Sequence, residues 1–294
     1  MAKLVVKTNN QRVDKYLSEE TEHSRAQIAK MLSEGKITVN KKIVKASYKV
    51  YENDEIEYPK DFFIPIKIEA EPIPLDIIYE DEDIIVINKP SGLIVHPGSG
   101  VKSGTLVNAL MAHTNNLSDT NGELRYGIVH RLDKNTSGLM IVAKNNKVNN
   151  ILADNFINKT IKREYIALLT GIFPHESATI DAPIGRDKTN REKMTVTTTN
   201  SKNAISHLKV LKKYAKYTLV SFLLETGRTH QIRVHAKYIG YPIYNDPLYN
   251  NGNDKFGQFL HSAKLEFNHP INKKPLQFEC PLPKEFQEFL AKIM

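Results

Sequence analysis

The chain has 294 residues, 40% of them hydrophobic and 25% charged, which is enough for one large domain or for a small domain joined to a larger one, and excludes global disorder. No apolar run is long enough for a membrane span or a signal peptide, so we expect a cytoplasmic protein that does not associate with membranes. The single cysteine, Cys280, excludes an internal disulfide framework and a zinc site built from several cysteines.

The formal net charge of +8 is unevenly distributed along the chain. Residues 23–49 contain seven Lys or Arg against one acid, whereas residues 50–57 contain four acids and no base. A basic block of this kind indicates a polyanion partner such as RNA, although a solvated surface would have the same composition. Its candidate RNA-binding residues are Arg25, Lys30, Lys36, Lys41 and Lys42.

Residues 1–60 are predicted to form a compact unit. An apolar i, i+3, i+4 pattern from Val13 predicts a first helix, and Ser24 is the predicted N-cap of a second helix that ends at Gly35. Short strands separated by turn residues follow up to residue 58. This order of elements would place the basic second helix along a phosphate backbone.

Residues 61–72 are rich in proline and lack a helical period, so we predict an extended linker followed by a larger domain over residues 73–294. The acidic residues 80–83 are interpreted as the solvated tip of a hairpin. The glycine-rich segment before Leu106 lacks the spacing of a phosphate-binding loop and is predicted to be a connection. The remaining predicted elements are helices over residues 148–156, 230–239 (with Thr229 as N-cap) and 283–293, a strand ending at Gly171, and a hairpin with a long exposed loop over residues 186–213.

The segment GIVHRLDKNTSGLMIVAKN, residues 127–145, is predicted to begin and end as buried strand, with ionisable residues between the two apolar runs. Charged groups resist burial unless they are paired or functional. A partly buried Asp133 beside an arginine would stay ionised and could act as a nucleophile toward a sugar carbon or as a base. The alternative is that Asp133 only caps a turn, and the residues alone leave both interpretations open.

A second polar segment, GRTHQIR, contains Arg233 three residues after His230, on the same side of the predicted helix. His230 and His235 are five residues apart, about 140° around a helix axis, so they cannot share a metal ion. No G-x-S-x-G motif supports a serine nucleophile, and no second acid in a comparable setting supports a two-carboxylate glycosidase.

Tyr165 lies in a predicted strand, on the same side as Ala167 and Leu169. A tyrosine in such a position usually belongs to the hydrophobic core. Its functional alternative is a flat surface for an unstacked base.

Four segments, GIVHRLDKNTSGLMIVAKN, KREYIALLTG, LLETGRTHQIRVHAKYIGYPI and INKPSGLIVHPG, resemble the RluA family of RNA pseudouridine synthases, and in particular its RluD-like members that modify large-subunit ribosomal RNA. The resemblance extends from Ile73 to the C-terminus, and residues 1–60 resemble the small αL RNA-binding domain named after a small-subunit ribosomal protein. It implies an α+β fold, with a large mixed, mostly antiparallel sheet flanked by helices and a small N-terminal RNA-binding domain.

The resemblance also implies residue roles. Asp133 matches the catalytic aspartate, Tyr165 the tyrosine that stacks on the target base, and Arg233 the arginine that ion-pairs with the aspartate. Arg131 resembles the arginine that fills the space left by the flipped nucleotide, and the neighbouring His130 is a candidate for supporting the site.

The implied reaction is the isomerisation of uridine within RNA, without metal or cofactor, by an enzyme that we expect to be a monomer. Whether Asp133 attacks the substrate or removes a ribose proton stays open. One alternative is a non-catalytic RNA-binding or ribosome-assembly factor, which would need Arg25 and Lys30 but not Asp133. Another is a hydrolase of nucleosides or glycosides, which would release free base.

Overall fold

A computed structural model describes residues 1–21, 23, 25–59, 68–98, 101–122, 125–253 and 255–294. The chain divides into two compact units, Met1–Lys67 and Ile68–Met294. The predicted N-cap Ser24 and residues 61–67 of the predicted linker lie outside the described residues. No helix within these ranges is long and apolar enough to cross a membrane.

The smaller unit packs two helices against short strands around a hydrophobic core of its own. The core-facing residues of the first helix include Val13, Tyr16 and Leu17, which are buried with Ile28 and Leu32 of the second, so the helical periodicity is confirmed. The strands pair in the order β1-β6-β3-β4, with β2 on β5. Its elements are β1 (Ala2–Val5), β2 (Gln11–Arg12), α1 (Val13–Glu20), α2 (Arg25–Ser33), β3 (Thr38–Val39), β4 (Lys42–Ile43), β5 (Lys49–Val50) and β6 (Glu55–Tyr58).

The larger unit is built on a nine-stranded sheet. Its elements are β7 (Ile77–Glu80), β8 (Ile84–Lys89), α3 (Leu106–His113), β9 (Ser137–Ala143), α4 (Asn146–Ile157), β10 (Lys162–Thr170), β11 (Ser177–Asp181), β12 (Ile184–Arg186), β13 (Met194–Val196), β14 (Ser201–Lys202), β15 (Ile205–Lys213), β16 (Tyr217–Leu224), α5 (Gln231–Tyr238), β17 (Leu260–Asn268), β18 (Pro275–Glu279) and α6 (Lys284–Lys292). The sheet order is β11-β15-β16-β10-β17-β9-β8-β7, with β18 also on β17. Pairing is antiparallel except between β9 and β17 in the residues described, which confirms the predicted α+β class.

The strand β9 is buried on both faces, so it forms the centre of the unit. Met140 and Val142 pack in the core that includes α3 and α5, whereas Leu139 and Ile141 pack in the core that includes α4. This alternation places helices on both sides of the sheet.

The parallel contact between β9 and β17 brings the predicted site residues together. It consists of two register pairs, one of which joins Gly138 to Ser262. On its other edge β17 pairs with β10, where Ser262 is opposite Tyr165. The loop that contains Asp133 leads directly into β9, and therefore enters the sheet at the level of Tyr165.

Two predictions about local structure are wrong. Ile128 forms only an isolated bridge to Val142, so residues 128–129 are not a strand. Residues 186–213 are not a hairpin with a long loop, because they contribute to a small sheet, β13-β12-β14, and to the long strand β15.

The start of α5 also differs from the expectation. Its N-cap is His230, with a left-handed φ of 57°, rather than Thr229. The buried Gln231 explains the shift, because its side-chain oxygen accepts hydrogen bonds from the Arg228 amide and the Thr226 hydroxyl. These bonds fix the turn before the helix, so the first helical residue is Gln231.

From residue 68 the extended segment predicted as a linker packs onto the larger unit. Ile68 is buried in its core, and the Asn108 side chain of α3 donates a hydrogen bond to the Glu69 carbonyl. The Glu71 amide in turn donates to the Asn108 carbonyl.

Candidate active site

A cleft of about 520 Å³ opens where β10, α5 and the loop before β9 meet. Its walls come from residues 129–136, 156–165 and 224–233 together with Leu260. The segments that contain Asp133, Tyr165 and Arg233 therefore line one cavity.

Asp133 and Arg233 form an ion pair inside this cleft. Arg233 Nη1 donates a hydrogen bond of 2.8 Å to Asp133 Oδ2, with side-chain exposures of 4% for the arginine and 19% for the aspartate. The other oxygen, Oδ1, accepts no hydrogen bond from the described residues and is 3.8 Å from His230 Nε2. The carboxylate is thus fixed through one oxygen and presents the other to the cleft.

A second carboxylate, Asp246, holds the same arginine and was missed by the sequence analysis. Arg233 donates from Nε and Nη2 to the two Asp246 oxygens at 2.7 and 2.9 Å. The fully buried Asp246 also accepts the amides of Leu248 and Tyr249. Burial opposes the charge of Arg233, but the hydrogen bonds to Asp246 and the two negative charges outweigh it and raise the pKa of Arg233.

His230 is fixed beside this pair. Its Nδ1 is 3.0 Å from the Tyr249 hydroxyl, which also accepts the Met194 amide at 2.9 Å. Burial lowers the pKa of His230, against the opposing charge of Asp133. A neutral imidazole adds no second positive charge beside Asp133.

Tyr165 forms part of the apolar wall of the cleft. Its side chain is 6% exposed and packs in the same core as Ala167 and Leu169, as the strand periodicity predicted. Burial raises the pKa of Tyr165, so its phenol stays neutral. The ring lines the same cleft as Asp133 without carrying a charge of its own.

Comparison with known proteins shows the family to which the chain is similar. The family described as RNA pseudouridylate synthase matches residues 83–238, and the S4 domain matches residues 11–56. The chain is 47% identical over 287 residues to the RNA pseudouridine synthase YlyB of Bacillus subtilis, covering 97% of this chain and 94% of that protein. It is 39% identical to ribosomal large subunit pseudouridine synthase D of Neisseria meningitidis serogroup B, covering 92% of this chain and 75% of that protein.

The chain belongs to the RNA pseudouridine synthase family. It is an enzyme that isomerises uridine in RNA to pseudouridine. A similar fold is present in the human RNA pseudouridylate synthase domain containing 1, with a TM-score of 0.57, 23% identity, and coverage of 76% of this chain and 96% of that one.

In this pseudouridine synthase His130 lies against the sheet, where its Nε2 accepts a 3.1 Å hydrogen bond from the Ile141 amide. Its ring is 4.7 Å from that of Phe156. Burial and the nearby charge of Arg163 lower the pKa of His130 to about 3. The geometry therefore gives His130 a neutral, supporting position between the Asp133 loop and β9.

Arg131 is exposed at the mouth of the cleft. Its Nη1 is 3.2 Å from His96 Nε2, and it also lines a second cavity of about 320 Å³ on the other side of the Asp133 loop. Arg131 therefore lines both cavities of the synthase.

Lys89 holds the backbone of the Asp133 loop in place, a contact that the sequence did not predict. It is fully buried and its Nζ donates hydrogen bonds of 2.8 to 2.9 Å to the carbonyls of Pro90, Leu93 and Lys134. Burial lowers the pKa of Lys89 to about 7, against the charge of Asp133. The contact to Lys134 fixes the residue that follows the aspartate.

The five candidate RNA-binding residues all lie in the unit that contains the S4 match. Arg25 pairs with Asp14 at 3.0 Å, Lys30 with Glu34 at 3.8 Å, and Lys36 with Glu34 at 2.7 Å. The remaining two candidates, Lys41 and Lys42, are exposed at the turn between β3 and β4. They lie in a different unit from the cleft.

One cluster of possible metal ligands occurs in the part of the chain that the structure describes. It contains Asp81, Asp83 and His269, whose ligand atoms lie within 4.8 Å of one another. Both ring nitrogens of His269 already have hydrogen-bond partners, namely Asp81 and the amides of Ile271 and Asn272. None of the three residues lines the cleft, and Asp81 is instead part of the hairpin turn, where it accepts the amides of Asp83 and Ile84.

Proposed function

We propose that this enzyme isomerises uridines of large-subunit ribosomal RNA in the cytoplasm, with Asp133 as its catalytic residue. The substrate follows from the relatives named as large-subunit enzymes, one of which is 39% identical over 289 residues. We propose that the enzyme acts as a monomer without bound metal, because the side chains that the reaction described below requires already meet in this one cleft.

The observation that carries the catalytic assignment is the state of the Asp133 carboxylate. One oxygen is held by Arg233, while the other faces a cleft with an apolar tyrosine wall. An arginine at hydrogen-bonding distance keeps a carboxylate ionised. An ionised, partly desolvated carboxylate is reactive as a nucleophile or as a base.

The reaction then needs three things from this chain. The target base must leave the stack, which costs a few kcal/mol and which the exposed Arg131 would offset by filling the gap. Asp133 would bond to the sugar C1′ or remove the proton from C2′, so that the glycosidic bond breaks. Tyr165 would cover the detached uracil while it turns, until carbon-5 bonds to C1′. This step displaces Asp133 from C1′ in the first case, and in the second Asp133 returns the proton to C2′. The proton on carbon-5 is then lost and N1 gains one.

Mass spectrometry separates this reaction from hydrolysis. Isomerisation leaves the mass of the RNA unchanged, whereas hydrolysis releases free base and lowers it. We expect the purified protein to form pseudouridine in a large-subunit ribosomal RNA transcript of constant mass. We also expect cells lacking the gene to lose pseudouridine at the same positions, and unchanged ribosomal RNA in those cells would contradict the proposed substrate.

A further inference from the structure

Arg163 is a buried cation in the cleft that the reaction described above does not use. It is 6% exposed and lines the cleft together with Asp133 and Tyr165. Because alternate residues of a strand point to the same side, Arg163 and Tyr165 both project from β10 toward the cleft.

The guanidinium of Arg163 lacks a carboxylate partner in the described part of the chain. Its Nε is buried without a hydrogen-bond partner, and the ion pairs formed by the described residues do not include it. Burying an unpaired charge is strongly unfavourable, so a sequence retains such a group where a ligand completes it. Arg233, which lines the same cleft, is in contrast paired with two carboxylates.

Apolar and backbone contacts hold Arg163 in position, and its Nη1 and Nη2 have no hydrogen-bond partner among the described residues. Its Cζ is 5.2 Å from the centre of the Phe156 ring. On the other side it is so close to Gly227 that a Cβ at that residue would lie 2.8 Å from Nη1. Any larger residue at Gly227 would therefore displace the guanidinium.

We propose that Arg163 binds a backbone phosphate of the RNA next to the everted uridine, an inference that rests on the proposed function. The planar guanidinium matches a phosphate with two parallel hydrogen bonds, and a negative charge compensates its burial. The uracil base is neutral before the reaction and would compensate the charge less well. The phosphate would thus fix the nucleotide while Tyr165 and Asp133 contact its base and sugar.

The other cations that line this part of the cleft are less suited to the task. Lys159 pairs with Glu225 at 2.8 Å, and Arg228 is exposed and donates from Nε to the Asn203 carbonyl. Arg163 is therefore the buried cation of the cleft that has no carboxylate partner among the described residues.

The test combines Arg163→Met with neutral phosphates in the RNA. The probe is a synthetic stem–loop of large-subunit ribosomal RNA that contains one uridine converted by the wild-type enzyme, made with a methylphosphonate at either phosphate that flanks it. A charge-assisted hydrogen bond is worth about ten- to a hundredfold in affinity. We expect one methylphosphonate to weaken wild-type binding by about that factor, and Arg163→Met to weaken binding of the natural RNA equally, with no additional loss when both changes are combined.

Lys162→Met is the matched control. Lys162 precedes Arg163 on the same strand but points to the opposite, exposed side, where its Nζ is 3.8 Å from Glu266. We expect this variant to bind both RNAs like the wild type. Arg163→Lys keeps the charge without the fork and should bind between the wild type and Arg163→Met.

The thermal stability of the free enzyme separates ligand binding from a structural function. Because Arg163→Met removes an unpaired buried charge, we expect an unchanged or higher melting temperature, whereas a structural function would lower it. Equal sensitivity of wild type and Arg163→Met to the methylphosphonates, or insensitivity of the wild type to both, would overturn the inference. Loss of turnover in Arg163→Met with unchanged affinity would show that Arg163 acts on the base, and would also overturn the inference. Failure of the wild type to convert any uridine would instead contradict the proposed function.

Discussion

At the scale of single residues, Arg233 is held between two carboxylates of different environment. Asp246 is fully buried and bidentate, whereas Asp133 is partly exposed and makes a single hydrogen bond. Removing the only partner of a buried arginine is strongly destabilising, on the order of 3–5 kcal/mol. With Asp246 in place, Asp133 can change its charge or bonding during the reaction without leaving Arg233 unpaired.

Neutral histidines that are partly or fully buried should make the stability of the protein depend on pH. Burial lowers the pKa of His130 to about 3, with a contribution from Arg163, and that of His261 to about 4. An unfolded histidine has a pKa of about 6.5, so below that pH the unfolded state binds more protons than the folded state. We expect the free energy of unfolding to fall as the pH decreases from 6.5 to about 4, by about 1.4 kcal/mol per pH unit for each histidine.

Urea unfolding at several pH values checks this prediction. In His130→Gln, whose side-chain oxygen can still accept the Ile141 amide, the slope with pH should decrease by about the contribution of one histidine. The exposed His175 provides the control, since His175→Gln should leave the slope unchanged. A slope in His130→Gln equal to that of the wild type would contradict the assignment.

The sequence predicted the residues that meet in the cleft, but not all of the groups that hold them. The polar interruption at Asp133 and the helical position of Arg233 were visible because each departs from a regular apolar pattern. Asp246 lies in an irregular segment, NDPLY, where no periodicity separates a buried carboxylate from a solvated one. The partners of Lys89 are backbone carbonyls, which leave no signal in the sequence.

At the scale of elements, the contact between β9 and β17 is what joins the Asp133 loop to Tyr165. Gly138 has a φ of 109°, and a Cβ there would overlap the backbone of Ser262. The two strands can approach only because residue 138 has no side chain.

Replacing this glycine should separate the two strands. We expect Gly138→Ala to lower the free energy of unfolding by more than about 3 kcal/mol, which is the size of a severe core substitution. The cost is large because the alanine must adopt a strained φ and the backbone of Ser262 must also move. Gly240 is the control, since it also has a positive φ, of 85°, but open space around a Cβ. Gly240→Ala should cost only about 1 kcal/mol in chemical denaturation, and equal costs at the two positions would argue against a close strand contact.

Helices were predicted better than strands at this scale. The apolar periods of α1, α4 and α6 are local properties and correspond to helices in the structure. Strand β1 was not predicted, and β13 and β14 were assigned to a loop, because a short strand is defined by a partner elsewhere in the chain.

At the scale of the whole molecule, two units with separate hydrophobic cores carry different surfaces. The smaller unit contains the basic block of residues 23–49, and the larger unit contains the cleft. Contacts to phosphates provide affinity that depends on salt and little on sequence. We therefore assign RNA affinity mainly to the smaller unit and the chemistry to the larger one.

Deleting residues 1–67 tests this division. We expect residues 68–294 to fold, because their cores do not include residues from the smaller unit. The fragment should bind RNA more weakly, and its affinity should depend less on salt. The slope of the logarithm of the binding constant against the logarithm of the salt concentration should decrease by about 0.7 for each phosphate that the fragment no longer neutralises. At saturating RNA its turnover should approach that of the full chain, whereas a folded but inactive fragment would show that the smaller unit takes part in the chemistry.

The most direct test of the account is the activity of Asp133→Asn. Wild type, Asp133→Asn and the exposed control Asp181→Asn should be incubated with the same large-subunit ribosomal RNA transcript, and the pseudouridine formed should be counted by position. We expect Asp133→Asn to form none while it still binds the RNA, and Asp181→Asn to match the wild type. Conversion by Asp133→Asn at a rate near that of the wild type would contradict the assignment of Asp133 as the catalytic residue.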